Sequence, residues 1–389
     1  MSAGTPNPQT SPPVASRVAV LGVFSINGLV LGSWFVRIPA IQQELGLSEG
    51  LLGLALLAAA IGALASMPLT GALVSRFGSR RIVGVTSLVL SFSVVLPALA
   101  PGLLLLAPAV AVVGAANGAL DVSMNSQAVA VEKRYGRPIM SSFHAAFSFG
   151  GLGGAVLGGL VASAGVEPLT HFSAVAVLCS FAAIVTYRQL LPDSADAAED
   201  GAPAFARPTR ALLGLGAISF CVLLGEGAMS DWSAVYLSGP LETGPGFAAA
   251  GYAAFSLTMA LGRLFGDGLI ARFGPARLVR LCGALAAIGL GVALAVAQPV
   301  VALVGFACAG IGFSIVFPAA LSAAGRTKGM APGPALAAVS TAGYTGFLIG
   351  PPAIGFAAEV FGLGGALYIV VALSGAVVLL AGAVKTGKG

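Results

Sequence analysis

One apolar stretch of the sequence carries three polar side chains at a regular spacing. Asn117, Asp121 and Asn125 recur every four residues in "GAANGALDVSMNSQAVAV", and the preceding "LLLLAPAVAVV" carries no charge. Residues four apart lie on one face of an α-helix, so the three side chains would form a polar stripe. An acid between two amides can bind a polar solute or carry a proton, and its structural alternative is a hydrogen bond between helices. The three-membered stripe favours the functional role.

Other polar residues interrupt apolar segments at helical spacing. His144 shares a helix face with Ser148, and Glu226 shares one with Ser230. Interhelical packing is the alternative reading for each candidate. The predicted proton-coupling residues are Asp121, Glu226 and His144. The predicted substrate cavity comprises Asn27, Trp34, Asn117, Asp121, Asn125, His144, Glu226 and Tyr344.

A second acid follows Glu226 in the same apolar segment. Asp231 is five residues further on, about 500° around a helix, so the two acids face nearly opposite directions unless the helix breaks at Gly225 or Gly227. Asp231 is expected to cap such a break or to pair with Arg37 as a gate that closes the periplasmic side.

Arg263 and Asp267 lie four residues apart, a spacing at which opposite charges neutralise each other on one helix. We expect this pair to be structural.

The composition requires these residues to sit in a membrane. Hydrophobic residues make up 57% of the 389 residues and charged residues only 8%, against roughly 25% charged in soluble domains. Apolar runs of about 20 residues can each cross a bilayer as a helix. We predict twelve, at 18–38, 50–73, 82–100, 103–130, 139–164, 168–189, 210–236, 247–271, 278–297, 299–324, 333–358 and 362–384. The fold class is therefore all-α and membrane-embedded.

The basic residues indicate the orientation of these helices. If the N-terminus is cytoplasmic, every Lys and Arg except Arg37 and Arg263 lies on or near the cytoplasmic side. We predict a multi-pass protein of the cell inner membrane with both termini cytoplasmic. The net charge of +5 then reports topology and not a nucleic-acid partner. The N-terminal sixteen residues lack a basic n-region, which favours a cytoplasmic tail before a retained helix.

The chain repeats itself about halfway along. Trp34 matches Trp232, and "RFGSRRIV" from Arg76 matches "RFGPARLV" from Arg272, at offsets of 198 and 196 residues. A duplicated six-helix unit explains both matches. It predicts a tail at 1–16, an N-terminal bundle at 17–190, a cytoplasmic linker at 191–209 and a C-terminal bundle at 210–389. Secondary transporters are often built this way, with the solute held between the halves.

Specific motifs resemble a known family. "GALVSRFGSRR" is similar to the loop after the second helix of the major facilitator superfamily, and "GDGLIARFGPAR" is similar to its counterpart. The resemblance assigns this motif to Gly71, Arg76, Gly78, Arg80, Arg81, Asp267, Arg272, Gly274 and Arg277. The family usually has an aspartate where this chain has Ser75 and Ala271. A charge relay through that position is not expected unless Asp267 supplies it.

"LDVSMNSQ", "SSFHAAFSFGG" and "GEGAMSDWSAVYL" further resemble the rhizopine-transporter-like branch of this superfamily and, more distantly, the fucose/proton symporters. The resemblance implies twelve transmembrane helices in two pseudo-symmetric bundles. It also implies transport of a small polar solute, often coupled to protons.

The sequence therefore predicts a secondary active transporter of a sugar, polyol or amino-cyclitol-like solute, working by alternating access and proton symport. The solute is expected to be neutral or weakly cationic, because both intramembrane arginines have expected partners. The expected partners are the solute, protons and the lipid bilayer, and the protein is expected to be a monomer. No cofactor or metal is expected, since the four cysteines show no metal-ligand spacing.

Two alternatives stay open within this fold. One is a proton-driven efflux antiporter, although the fourth span lacks an arginine and the fifth lacks the Gly-Pro signature of such pumps. "GFLIGPPAIG" places a Gly-Pro in the eleventh span instead. The other is a non-transporting sensor. An enzyme is disfavoured, because the sequence has no H-E-x-x-H, no G-x-S-x-G with partner residues and no nucleotide-binding loop.

Overall fold

The computed structural model describes residues 13–136, 139–192, 210–327 and 332–385, and within these ranges every regular element is a helix. The helices are α1 (Val14–Phe35), α2 (Ile38–Glu44), α3 (Glu49–Phe77), α4 (Ser79–Ser93), α5 (Leu103–Tyr135), α6 (Met140–Ser163), α7 (Pro168–Tyr187), α8 (Arg210–Ser238), α9 (Pro245–Phe273), α10 (Pro275–Val296), α11 (Pro299–Ser314), α12 (Val316–Ala324) and α13 (Pro332–Leu380). The predicted all-α fold class is confirmed.

Eleven helical segments of the described chain are long and apolar enough to cross a membrane. The last of them, Ala338–Val384, has 47 residues, which corresponds to about 70 Å of helix, more than twice the hydrocarbon thickness. Gly362 interrupts α13 with φ 70° and ψ 159°, a conformation that glycine adopts without steric cost. The interruption divides α13 into the eleventh and twelfth predicted spans.

The other predicted spans match the helices within a few residues, with three differences. The third span was predicted to end at residue 100, but α4 ends at Ser93 and a short 3-10 helix follows at Leu96–Leu99. The fourth span was predicted to end at residue 130, but α5 continues to Tyr135. The charged residues of its last turn remain helical because Gly136 caps the helix in a left-handed conformation. The tenth span is divided at Ile315 into α11 and α12.

The outer surface of the bundle is apolar. Leu104 is 91% exposed and Leu379 is 84% exposed, and many other large hydrophobic side chains share this exposure. A water-soluble protein does not expose apolar surface to this extent, so these side chains face lipid acyl chains.

The helices form two groups that we call the N-terminal group (α1–α7) and the C-terminal group (α8–α13). In the first, α1 packs on α6 and α3 packs on α5; in the second, α8 and α10 pack on α13. The groups meet where α6 packs on α9 and where α3 packs on α13. Residues 193–209, which include most of the predicted linker, lie outside the described ranges, so the domain boundaries stay a prediction.

We call the membrane face that carries the start of α1 and the end of α13 the chain-end side, and the other face the far side. On the far side α3 and α13 approach closely through glycines. A methyl group at Gly355 would lie 2.6 Å from the carbonyl oxygen of Glu49, and one at Gly53 would lie 2.7 Å from that of Pro351. In addition, Gly50 N donates a hydrogen bond to Glu359 Oε1 at 2.9 Å.

The α6–α9 contact on the far side is close in the same manner. A methyl group at Gly159 would lie 2.8 Å from Cβ of Ala249, and one at Gly246 would collide with the Ser163 hydroxyl. Both of these contacts between the groups therefore depend on residues that carry no side chain, and both lie on the far side.

Candidate functional site

A cavity of about 330 Å³ lies between the two groups. Both groups contribute to its wall, through α1, α3, α5 and α6 on one side and α8, α9, α12 and α13 on the other. Of the predicted cavity residues, Asn27, Trp34, Asn117, Asp121, His144, Glu226 and Tyr344 line it.

The polar stripe of α5 faces this cavity with two of its three members. Asn117 and Asp121 line the wall, whereas Asn125 is not part of it. Instead, Asn125 Nδ2 donates hydrogen bonds to the backbone oxygen of Asp121 at 2.8 Å and to its Oδ1 at 3.1 Å. The expectation that Asn125 lines the cavity is wrong in this structure, because its amide turns back along the helix and positions the Asp121 carboxylate.

Several oxygen acceptors in the wall lack partners in the part of the chain that the structure describes. Asn27 is 1% exposed and its Oδ1 accepts no hydrogen bond, while its Nδ2 contacts Met124 Sδ at 3.7 Å. Asn117 Oδ1 is also buried without a partner. A buried acceptor without a donor is costly, and both residues line the cavity, so a hydroxyl or amine group of a solute could satisfy these oxygens if the amides turned toward the cavity.

His144 lines the cavity from α6, and the edge of its ring meets Phe24 with 5.4 Å between the ring centroids. Its backbone oxygen accepts a hydrogen bond from Ser148 Oγ at 3.3 Å. The ring nitrogens are therefore the polar atoms that His144 can offer to a solute or to a neighbouring carboxylate.

Arg263 has partners that were not predicted from the sequence. We expected a structural pair with Asp267, but the Arg263 guanidinium points into the cavity. Its Nη2 forms an ion pair with Glu226 Oε1 at 2.9 Å, and its Nη1 donates to Ser148 Oγ at 3.0 Å. A long arginine side chain can reach a neighbouring helix as easily as its own next turn. The side chain of Asp267 lies outside the described residues.

Asp231 also lines the cavity, together with Glu226. The expectation that only one of them can do so without a helix break is wrong, because α8 is one helix from Arg210 to Ser238. A wide sector of the α8 surface lines the cavity, and this sector also includes Gly227 and Ser230. No hydrogen bond or ion pair to the Asp231 carboxylate is found within the described ranges.

The expected gate between Arg37 and Asp231 is not formed. The Arg37 side chain instead donates a hydrogen bond to the backbone oxygen of Val166, within its own group. Arg37 is 4% exposed, and a buried guanidinium donates to a carbonyl oxygen that it can reach without any helix movement. The predicted ion pair between Arg37 and Asp231 is therefore not formed in this conformation.

Several aromatic and hydroxyl residues of the cavity were not predicted from the sequence. Tyr252, Phe255 and Ser256 on α9 line the wall, and Phe35 packs edge-on against Tyr252 with 5.1 Å between ring centroids. Ser256 lies four residues after Tyr252 and seven before Arg263. These helical spacings were the signal that could have identified α9 as a cavity helix.

The predicted loop motif lies on the chain-end side, away from the cavity. Gly78 (φ 85°) joins α3 to α4, and Gly274 (φ 77°) joins α9 to α10, which are backbone conformations that favour glycine. Arg80 lies over the Tyr187 ring at 4.9 Å, and Arg76 and Arg272 lie over Phe77 and Phe273. Gly71 has open space around it, and Arg277 is exposed. The motif therefore forms two equivalent turns, one between α3 and α4 and one between α9 and α10.

Comparisons with known proteins agree with one another. Residues 20–331 match the sequence model of the Major Facilitator Superfamily. An uncharacterized MFS-type transporter of Yersinia pestis is 38% identical over 354 residues, covering 90% of this chain and 91% of its own length. Membrane protein MosC of Rhizobium meliloti is 34% identical over 359 residues, covering 91% of this chain and 86% of its own.

Solved structures show the same fold. A bacterial homolog of the human lysosomal transporter Spinster, in an inward-facing and occupied conformation, superimposes with a TM-score of 0.76 at 16% identity, covering 96% of this chain and 97% of the other. The E. coli fucose:proton symporter FucP superimposes with a TM-score of 0.65 at 16% identity, covering 97% of this chain and 100% of the other.

Proposed function

Because this chain belongs to the major facilitator superfamily of transporters, we propose that it moves a sugar, polyol or amino-cyclitol-like solute across the inner membrane together with protons. Transport proceeds by alternating access, in which the cavity between the two groups opens to one side of the membrane at a time. The fucose:proton symporter of the same fold is compatible with this solute class and with proton coupling.

The observation that carries the proposal is the excess of oxygen acceptors among the residues of the cavity wall. Asn27 Oδ1 and Asn117 Oδ1 are buried without donors, and the carboxylates of Asp121 and Asp231 face the same space. A solute with several hydroxyl or amine donors satisfies these oxygens, and Tyr252 and Phe347 add aromatic surface for its apolar face. The cationic side chain in the wall, Arg263, already has a carboxylate partner, which disfavours anionic solutes.

Thermal stability of the purified protein in detergent can identify the solute class. We expect donor-rich solutes from a panel of sugars, polyols and amino-cyclitols to raise the melting temperature, since a ligand of the folded state stabilises it by mass action. Lipophilic cations and dicarboxylates are the contrasting panels. A shift with lipophilic cations alone would favour the efflux alternative.

Transport must then be shown for the solute that stabilises the protein. Liposomes that contain the purified protein should exchange the labelled solute across the membrane, and Asn27→Leu should abolish this exchange because it removes a cavity acceptor without changing the helix. A protein that binds the solute but never exchanges it would be a sensor.

Topology gives a separate prediction. Single cysteines at positions 4, 197 and 387 of a cysteine-free variant should resist membrane-impermeant thiol reagents in intact cells and react after permeabilisation. The even number of crossings and the basic residues of alternate loops predict this result. Labelling of all three positions in intact cells would invert the proposed orientation.

A further inference from the structure

A hydrogen-bonded connection crosses the centre of the protein from one helix group to the other. Arg263 on α9 binds Glu226 on α8 at 2.9 Å, within the C-terminal group. The same guanidinium binds Ser148 Oγ on α6, in the N-terminal group, at 3.0 Å. We propose that Arg263 is a positioning residue that transmits the charge state of Glu226 to the N-terminal group, and so couples ion or solute binding to the movement of the two groups.

The geometry of the guanidinium makes this transmission possible. Its planar fork presents separate nitrogens to separate partners, and here Nη2 serves Glu226 while Nη1 serves Ser148. The contact with Ser148 therefore depends on where Glu226 holds the fork. When Glu226 loses its charge, the fork loses its strongest partner and is no longer held against Ser148.

Loss of the Glu226 charge strongly affects Arg263, because both side chains are poorly exposed to solvent. Arg263 and Glu226 side chains are each 16% exposed, and a poorly solvated guanidinium without its carboxylate is strongly destabilised. It must then turn to another acceptor of the same wall. The other titratable groups that line this wall are Asp121 on α5, His144 on α6, Asp231 on α8, Tyr252 on α9 and Tyr344 on α13.

A second contact at Ser148 provides a matched control. Ser256 Oγ on α9 donates to the backbone oxygen of Ser148 at 2.8 Å. This bond joins the same two helices, but it involves neither Arg263 nor the Ser148 hydroxyl. Ser256→Ala therefore removes an inter-group hydrogen bond and leaves the connection from Glu226 intact, whereas Ser148→Ala does the reverse.

The inference rests on the proposed transport function, but its test needs no solute. Spin labels on cysteines at Ser75 and Ala271, which are exposed and close to the ends of α3 and α9, report the separation of the groups on the chain-end side. The distance distribution is measured by pulsed electron paramagnetic resonance in a background without native cysteines, with and without Glu226→Gln.

We expect Glu226→Gln to shift this distribution in the otherwise unchanged protein and in Ser256→Ala. The shift should disappear in Ser148→Ala. It should also disappear in Arg263→Lys, which keeps the charge but not the two-armed fork. Melting temperature and elution volume identify variants that do not fold, and Ser148→Ala is the variant that leaves the ion pair in place.

A Glu226→Gln shift that persists undiminished in Ser148→Ala would overturn the proposal, as would a Glu226→Gln protein with the distribution of the unchanged protein. Neither result would change what solute exchange in liposomes says about transport. The two proposals can therefore fail separately.

Discussion

Replacing Asp121 with asparagine is expected to abolish uphill accumulation of the solute while leaving solute exchange in place. The amide keeps the shape of the side chain and can still accept the hydrogen bond from Asn125, which spans 3.1 Å in the structure. It cannot, however, take up and release a proton. Coupling of one proton charge to a potential of 100 mV supplies about 2.3 kcal/mol, equivalent to roughly 50-fold accumulation at 1.36 kcal/mol per tenfold. The Asp121→Asn protein should lose this accumulation completely.

The measurement compares proteoliposomes that carry a proton gradient with proteoliposomes that carry only labelled solute inside. Asp231→Asn is the matched control, because Asp231 is a second aspartate of the cavity wall, and no partner of its carboxylate is found in the described structure. If Asp121→Asn still accumulates solute and a protonophore still abolishes that accumulation, Asp121 does not carry the proton. A loss confined to Asp231→Asn would transfer the role to Asp231.

A single methyl group at Gly355 should favour the conformation in which the cavity opens to the far side. That methyl would lie 2.6 Å from the carbonyl oxygen of Glu49 and 3.2 Å from Cα of Gly53, and backbone atoms cannot rotate away as a flexible side chain can. Overpacking of this kind costs about 1–3 kcal/mol, and about 1.4 kcal/mol changes a conformational equilibrium tenfold. We therefore expect Gly355→Ala to raise the population open to the far side about tenfold.

Labelling of a cavity cysteine from the far side measures this population. Leu31 lines the cavity and is 9% exposed, so a cysteine there should react with an impermeant reagent in right-side-out vesicles only when the far side opens. Gly375→Ala is the control: it lies in the same helix, α13, with nothing within 4 Å of the added methyl. Equal labelling rates for the two variants would show that the glycine contact does not hold the far side closed.

Periodicity and composition were sufficient to predict the fold. Apolar runs of bilayer length and basic residues in alternate loops specify helices and their order, because lipid leaves the backbone few other options. Even the corner glycines Gly78 and Gly274 were visible as a repeated motif. The division of α13 at Gly362 was anticipated by the gap between residues 358 and 362.

The candidate site was predictable by residue type but not by partner. A polar side chain inside a membrane-spanning segment is energetically costly, so Asp121 and Glu226 stand out in the sequence as candidate site residues. Its partner depends on rotamers and on helices far away in sequence. Arg263 therefore pairs with Glu226, 37 positions away, while Arg37 turns to the backbone of Val166. Sequence spacing favours neighbours on the same helix and cannot rank them against neighbours across a cavity.

The close glycine contacts on the far side occur twice, in corresponding places. Gly50, Gly53, Gly355 and Glu359 in the α3–α13 contact lie 196 positions from Gly246, Ala249, Gly159 and Ser163 in the α6–α9 contact. A surface that meets a copy of itself, so that residue i touches j and j touches i, is the signature of a two-fold symmetric homodimer. An ancestral six-helix chain could therefore have paired with a second copy through this one surface before the two were fused. After fusion each copy was free to diverge, and an acid that caps a helix now stands at Glu359 where Ser163 stands in the other contact.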